Sequence, residues 1–377
     1  MIEVYAKRPS SKVFNPLVTA ILSMLIVKAL IFSVGFVTTY LQEGPAPPLE
    51  TVMRQFCRWD SPHYIDIAKN WYVNVGEQRF FIVFFPLYPL LIRLTTFNWR
   101  YVNLSALLIS NVSSIIAAIS LFKLVKLDFE DDVAKWAVFY LSIFPTAYFM
   151  CAIYTEGLFL ALAVTCIYFA RLEKWPLAGL LGMQASLTRI TGLSLFPALV
   201  VEYVSQRKWK LKNFDAKILW SFLSLAGFII YLVINYQVTG NFLAFMEIQR
   251  EHWCETFDPL LGLERAWHWA VDASFPDNLM LGVAQLAFAA LGLLGIIIGF
   301  IRRLRLSYNT YMFFAWVMSV SMSWWISIPR YMLVLFPLFI ILGVFGRRKV
   351  FNYVAAPISL AFLCFFTVLF SKGSWAF

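Results

Sequence analysis

Just past the first hydrophobic stretch lies Arg58-Trp59-Asp60-Ser61-Pro62-His63-Tyr64, a charged and aromatic cluster in a chain that is 61% hydrophobic and only 14% charged. Asp60 supplies a carboxylate, a group able to take the proton of a hydroxyl as its oxygen becomes a nucleophile. Arg58 and Trp59 beside it are placed to hold and orient that carboxylate. Taken alone, the tripeptide reads more simply as an interfacial anchor, with the Trp at headgroup level and the Arg paired to the Asp. Other polar residues assigned to the same side of the membrane shift the balance towards chemistry.

Ionisable groups in or beside membrane helices are costly, so each needs a reason. Glu156 falls in a short turn between two apolar runs, where it either caps the next helix or faces a cavity. Arg189 stands between Thr188 and Thr191 and before Gly192; a guanidinium with hydroxyls beside it suits a phosphate oxyanion, and the bland alternative is an Arg reaching to the interface. Arg330, after Pro329 and before Tyr331, is a second phosphate-clamp candidate. In the polar block Glu247, Gln249, Arg250, Glu251 and His252, followed by Trp253, Gln249 and His252 could reach a sugar or a phosphate, or the block is simply a solvated loop. Lys28, midway along the first apolar run, must pair, reach the interface or meet a lipid phosphate.

These residues need a scaffold, and the composition sets its class. A mean hydropathy of +0.72 and repeated apolar runs near the roughly 20 residues that span a bilayer predict an all-α polytopic membrane protein, a single domain over 1–377. Apolar spans are expected near 16–40, 101–122, 136–150, 157–170, 175–187, 190–205, 218–238, 281–301, 310–326, 330–345 and 351–371, about eleven crossings. The first is too long for a signal-peptide core and is read as a retained helix. The net charge of +10 gathers in short clusters (Lys7, Arg8 and Lys12; Lys123, Lys126 and Lys135; Arg171 and Lys174; Arg207 to Lys217; Arg302 to Arg305; Arg347 to Lys349). That is the positive-inside pattern, and it argues against a nucleic-acid partner. It puts the long connections 41–100 and 239–280 outside, both with the texture of amphipathic juxtamembrane helices. Phe80 to Leu91, apolar but broken by Pro86 and Pro89, is expected to dip into the interface, and 175–205 to form a hairpin of two short helices.

The five cysteines form no Cys-x-x-Cys pair, and with three histidines no metal-ligand spacing appears; a disulfide between Cys57 and Cys254 is left open. No glycine-rich nucleotide loop is present, so no cofactor is expected and any substrate arrives through the membrane. One reaction uses the whole assortment: transfer of a sugar from a polyprenyl-phosphate carrier to a hydroxyl, with Asp60 as base and Arg189 or Arg330 facing the departing phosphate. The competing class is a transporter or flippase of a lipid-linked sugar, which usually shows internal repeats and polar groups at the midplane.

Arg58-Trp59-Asp60, Phe84-Phe85-Pro86-Leu87-Tyr88-Pro89, Tyr154-Thr155-Glu156-Gly157, Leu187 to Gly192, Gln249 to Trp253, and Pro329-Arg330-Tyr331 with Leu335-Phe336-Pro337 occur in this order. In that order, over residues 58 to 339, the chain resembles the PIG-V-type mannosyltransferases, membrane glycosyltransferases of the GT-C class whose eukaryotic members add the second mannose of GPI anchors. The resemblance implies a GT-C fold and a dolichyl- or polyprenyl-phosphate-mannose donor. It also implies a lipid-linked or glycan acceptor, inversion at the anomeric carbon, and Asp60 as general base. Glu156 is the rival base or a cavity residue, and Arg189, Arg330 and Arg58 are expected at the donor phosphate. Trp59, His63, Tyr64, Gln249, His252, Trp253 and Tyr331 are expected at the substrate. Ser61-Pro62-His63 departs from the glycine or aromatic residues the family pattern has after the Asp, which bears on acceptor specificity. The implied location is the plasma membrane of a prokaryote or the endoplasmic reticulum of a eukaryote, with the site on the non-cytoplasmic face.

Overall fold

The structure, a computed structural model, describes residues 15–44 and 48–377, and the basic group Lys7, Arg8 and Lys12 lies outside them. Among the described residues every regular element is helical. The first half contains α1 (Pro16–Glu43), α2 (Pro48–Gln55), α3 (Ser61–Asn70), α4 (Leu87–Thr95), α5 (Val102–Val125), α6 (Asp131–Ser142), α7 (Glu156–Arg171) and α8 (Trp175–Ser186). It continues with α9 (Leu195–Gln206), α10 (Leu219–Thr239), α11 (Ala244–Glu251), α12 (Pro259–Asp272), α13 (Ala284–Ile301), α14 (Leu306–Val320), α15 (Ile328–Leu333), α16 (Phe336–Phe345) and α17 (Lys349–Ser371).

Among the described residues, five helical stretches are long and apolar enough to cross a membrane: Pro16–Glu43, Trp99–Val125, Ala216–Thr239, Asn278–Ile301 and Lys349–Ser371. In the first, third and fifth, only 28% of the most apolar window is buried inside the protein. Their outward residues, such as Leu22, Ile26, Phe222, Ile229, Val354 and Phe362, are apolar and exposed, as a lipid-facing surface requires. A sixth span is counted only if Glu77–Val83 and Leu87–Thr95 are taken together, and these meet at 113° around Pro86, a break expected where proline removes a donor. Of the expected eleven crossings, five or six meet the length and composition a span needs among the described residues, and the count of eleven is not confirmed. The remaining apolar runs are short helices, such as the 10-residue α16 and the 16-residue α7, at about 1.5 Å per residue too short for a 30 Å core. They are apolar because protein surrounds them: α7 buries residues on every face. The 175–205 segment does fold as two short helices, α8 and α9, and the long connections carry α2, α3 and α4, then α11 and α12.

Close approach needs small residues. A β-carbon on Gly157 would lie 2.6 Å from the Ser110 carbonyl oxygen, and one on Gly227 would lie 2.1 Å from that of Met183, so α7 meets α5 and α10 meets α8 backbone to backbone. Between α6 and α7 the chain runs from Ile143 to Thr155 without an α-helix, almost wholly buried. Side chains serve its carbonyls. Lys28 Nζ donates to Met150 O (3.2 Å), Asn111 Nδ2 to Cys151 O (3.1 Å), Ser61 Oγ to Ile153 O (3.1 Å) and Ser110 Oγ to Tyr154 O (3.0 Å). Lys28 also donates to Asn111 Oδ1 at 2.8 Å, so it is buried with protein acceptors and does not reach a lipid headgroup.

At the far end of α7, Arg171 makes a bidentate pair with Asp128 (2.5 and 2.7 Å), and Arg305 makes one with the fully buried Glu202 (2.6 and 2.7 Å). Tyr308 and Ser307 donate into the same cluster.

Candidate active site

The site assembles at the N-terminal end of α7, where segments distant in sequence converge. Asp60 precedes α3 in the N-cap position, yet its side chain makes no cap bond. An Asp there ordinarily accepts from the first turn. Here the carboxylate is turned to Arg330 of α15, with Nη1 to Oδ2 at 3.0 Å. Arg330 Nε lies 3.0 Å from Glu156 Oε1 at ion-pair distance, without hydrogen-bond alignment. Glu156, the first residue of α7, also pairs with Arg189, whose Nη1 donates to Thr155 Oγ1 at 2.8 Å. The result is a chain of alternating charge, Asp60–Arg330–Glu156–Arg189, uniting four residues expected at the site.

Burial grades along this chain. The Glu156 side chain is 0% exposed, those of Arg189 and Arg330 10% and 11%, and that of Asp60 26%. Asp60 is thus the open end. Glu156 holds both arginines and neither caps α7 nor lies in a water-facing turn, since the segment before it is buried. Its Oε2 is buried with no protein partner. Arg189 is held inside and does not reach outward. Tyr331 lies between the two arginines, 5.6 Å from each guanidinium carbon to the ring centre, and Phe149 and Tyr154 add faces to Arg330 at 5.3 and 5.2 Å.

Beside the carboxylate is an aromatic wall. The His63 ring lies 4.3 Å from Phe81, 5.2 Å from Phe84 and 6.3 Å from Trp253, while His252 stacks on Phe80 at 3.7 Å. Trp253 Nε1 is buried without a partner. Gln249 donates to Glu255, a carboxylate that sequence reading missed although it follows Trp253 by two residues. Burial pushes Glu255 above the usual carboxylate range against the opposing pull of Gln249 and the positive field of Arg330. Burial lowers the His63 imidazole, partly offset by Asp60 and Asp66.

Three expected site residues lie elsewhere or serve differently. Arg58 turns its head away from Asp60, pairing with Glu43 (2.7 Å) and donating to Ser371 O (2.9 Å); the two are separated by a turn in which Trp59 takes φ 54° and Ser61 N–H donates to Arg58 O at 3.1 Å. Tyr64 is buried against Phe84, Tyr88 and Tyr154, behind the ion chain. Trp59 packs edge-on against Trp375 at 4.9 Å and takes φ 54°, a left-handed conformation that costs a bulky residue on the order of 1–3 kcal/mol. Cys57 and Cys254 are both free thiols. Among the described residues no group of three or more His, Cys, Asp or Glu is gathered to hold a metal. No model of a known protein family matches this chain, and no curated protein matches it, so its residues are the guide to what it does.

Proposed function

We propose that the chain is an integral-membrane glycosyltransferase of GT-C-like architecture, akin to the PIG-V-type mannosyltransferases. It moves mannose from a polyprenyl-phosphate donor to a hydroxyl of a lipid-linked or glycan acceptor on the non-cytoplasmic face. The single observation that carries the reading is the ion chain, which sets one open carboxylate against two enclosed guanidinium groups. In the proposed reaction the acceptor oxygen attacks the anomeric carbon from the face opposite the phosphate, giving inversion. Its proton passes to Asp60 while the carbon–oxygen bond to the phosphate breaks. Polyprenyl phosphate departs with the electron pair, and Arg330 and Arg189 neutralise the charge that develops on it. Glu156, enclosed between those arginines, holds them in place and is the poorer candidate for base. The wall of His63, Phe84, His252 and Trp253 offers ring faces to a sugar, and the partnerless Trp253 N–H offers a hydrogen bond.

The test is reconstitution of the purified chain with synthetic polyprenyl-phosphate-mannose and a panel of lipid acceptors, read by mass spectrometry. A hexose increment with wild type and none with Asp60→Asn is expected. A wild-type protein that binds the donor and transfers nothing to any acceptor overturns the reading.

A further inference from the structure

Residue 60 is positioned by an unusual backbone, and one side chain spans the distortion. Trp59 holds φ 54° with its ring against Trp375, and the carboxylate that follows has no cap bond to steady it. The Tyr154 hydroxyl accepts from Asp60 N–H at 3.2 Å and donates to the Arg58 carbonyl at 3.2 Å, bridging the residues on either side of Trp59. The buried segment before α7 grips the same turn twice more. Ile153 N–H donates to Phe56 O at 3.2 Å, and Ser61 Oγ donates to Ile153 O at 3.1 Å. Tyr154 is 1% exposed, and its ring lies 5.2 Å from the Arg330 guanidinium, so one side chain contacts both the backbone of Asp60 and the cation paired to its carboxylate.

We infer that Tyr154 is the positioning residue for Asp60: its hydroxyl locks the left-handed turn at Trp59 and thereby aims the carboxylate beside Arg330. The inference rests on the proposed role of Asp60, but the brace itself is a property of the fold. An L-residue leaves the left-handed region readily unless surrounding bonds over-determine it. With the hydroxyl gone, the turn keeps its Ser61 N–H to Arg58 O bond (3.1 Å) but loses the one side-chain tie described between residues 58 and 60, and a displacement of about 1 Å at a reacting group is worth about 100-fold in rate.

Tyr203 supplies a matched control. Its hydroxyl also accepts a backbone N–H, from Asp215 at 2.6 Å, and donates to the Asp215 carbonyl at 3.0 Å, in a loop far along the chain from Asp60. Removing either hydroxyl costs comparable hydrogen bonds, so a merely structural role moves both variants alike.

The experiment compares wild type, Tyr154→Phe, Tyr203→Phe and Asp60→Asn in purified, folded protein. Transfer from polyprenyl-phosphate-mannose is measured alongside carbodiimide-driven amine coupling to individual carboxylates, read by mass spectrometry. Tyr154→Phe is expected to lower kcat about 10- to 100-fold with little change in donor KM, the signature of a lost transition-state interaction. Coupling at Asp60 should rise and that at Glu43 should not. Tyr203→Phe should leave kcat and Asp60 coupling at wild-type values. Unchanged coupling at Asp60 in Tyr154→Phe, or equal changes in both tyrosine variants, overturns the inference. If Asp60→Asn transfers like wild type, the proposed role of Asp60 falls, while the coupling pattern still judges the brace. Should Tyr154→Phe fail to fold, Trp59→Asn/Tyr154→Phe replaces it, because Asn tolerates the left-handed turn unaided. Wild-type coupling at Asp60 is then expected, and raised coupling counts against the inference.

Discussion

Helix α7, about 24 Å long at 1.5 Å per residue, carries an ion network at each end, and the two are built differently. At the Arg171 end both oxygens of Asp128 and both of Glu202 accept hydrogen bonds, from Arg171, Arg305, Gln206, Ser307 and Tyr308. At the Glu156 end one oxygen of a fully buried carboxylate has no protein partner, and Asp60 at the rim pairs through a single oxygen. A network with its carboxylates saturated ties helices together. In the proposed function, the unpaired Oε2 of Glu156 is where a ligand would complete the pairing. The comparison supports placing the proposed site at the Glu156 end of α7, with the Arg171 end tying helices together.

The largest test of that contrast is Asp60→Asn against Glu202→Gln. The first should cut transfer by about 10²- to 10⁴-fold with the melting temperature nearly unchanged, since a positioned base is lost and little packing is disturbed. The second should lower the melting temperature while folded protein keeps its turnover. Glu202→Gln protein that is folded but inactive breaks the comparison. Next in size is Glu202→Ala, which strands Arg305 beside a cavity. A loss of roughly 3–5 kcal/mol in denaturant unfolding is expected, as for other broken buried pairs. A smaller effect, about tenfold, should follow Arg189→Lys in turnover, because charge is kept and the planar fork is lost. Arg305→Lys should leave turnover intact.

The smallest effects are in pH dependence. His63 is lowered in the fold, so its contribution to stability is complete above its ordinary value of 6.5 and is lost as pH falls through the folded value. Glu255 is raised, so the fold takes up its proton more readily than the unfolded chain, and stability falls as pH rises from 4.5 through the folded value. Melting curves of His63→Phe and Glu255→Gln between pH 4 and 8 check both slopes, which have opposite signs. A parallel response in the two variants contradicts the environments described here.

The residues of the candidate site were easier to pick out of the sequence than the extent of the membrane-spanning helices. Asp60, Glu156, Arg189 and Arg330 stood out because charge is rare and costly in so apolar a chain, and they meet although Asp60 and Arg330 are 270 residues apart. Which charge pairs with which was hidden: Arg58 lies two residues from Asp60 in sequence but faces Glu43, with Trp59 between them at φ 54°. Tyr154 and Glu255 went unassigned because nothing about an isolated Tyr or a loop Glu announces its partner. The span count was harder to read because hydropathy registers burial without distinguishing lipid from protein, and helices such as α7 and α16 are buried in protein.

Lys28 has a consequence for how the chain is made. Its ammonium donates to Asn111 on α5 and to Met150 and Cys151 in the segment between α6 and α7, the last two more than 120 residues downstream. An uncompensated lysine at the centre of a membrane helix costs roughly 2.5–3.5 kcal/mol on translocon-insertion scales. During synthesis α1 therefore reaches the membrane long before its partners exist, and its place there is provisional. A nascent chain halted before Met150 should therefore expose α1 to surveillance of unassembled membrane segments.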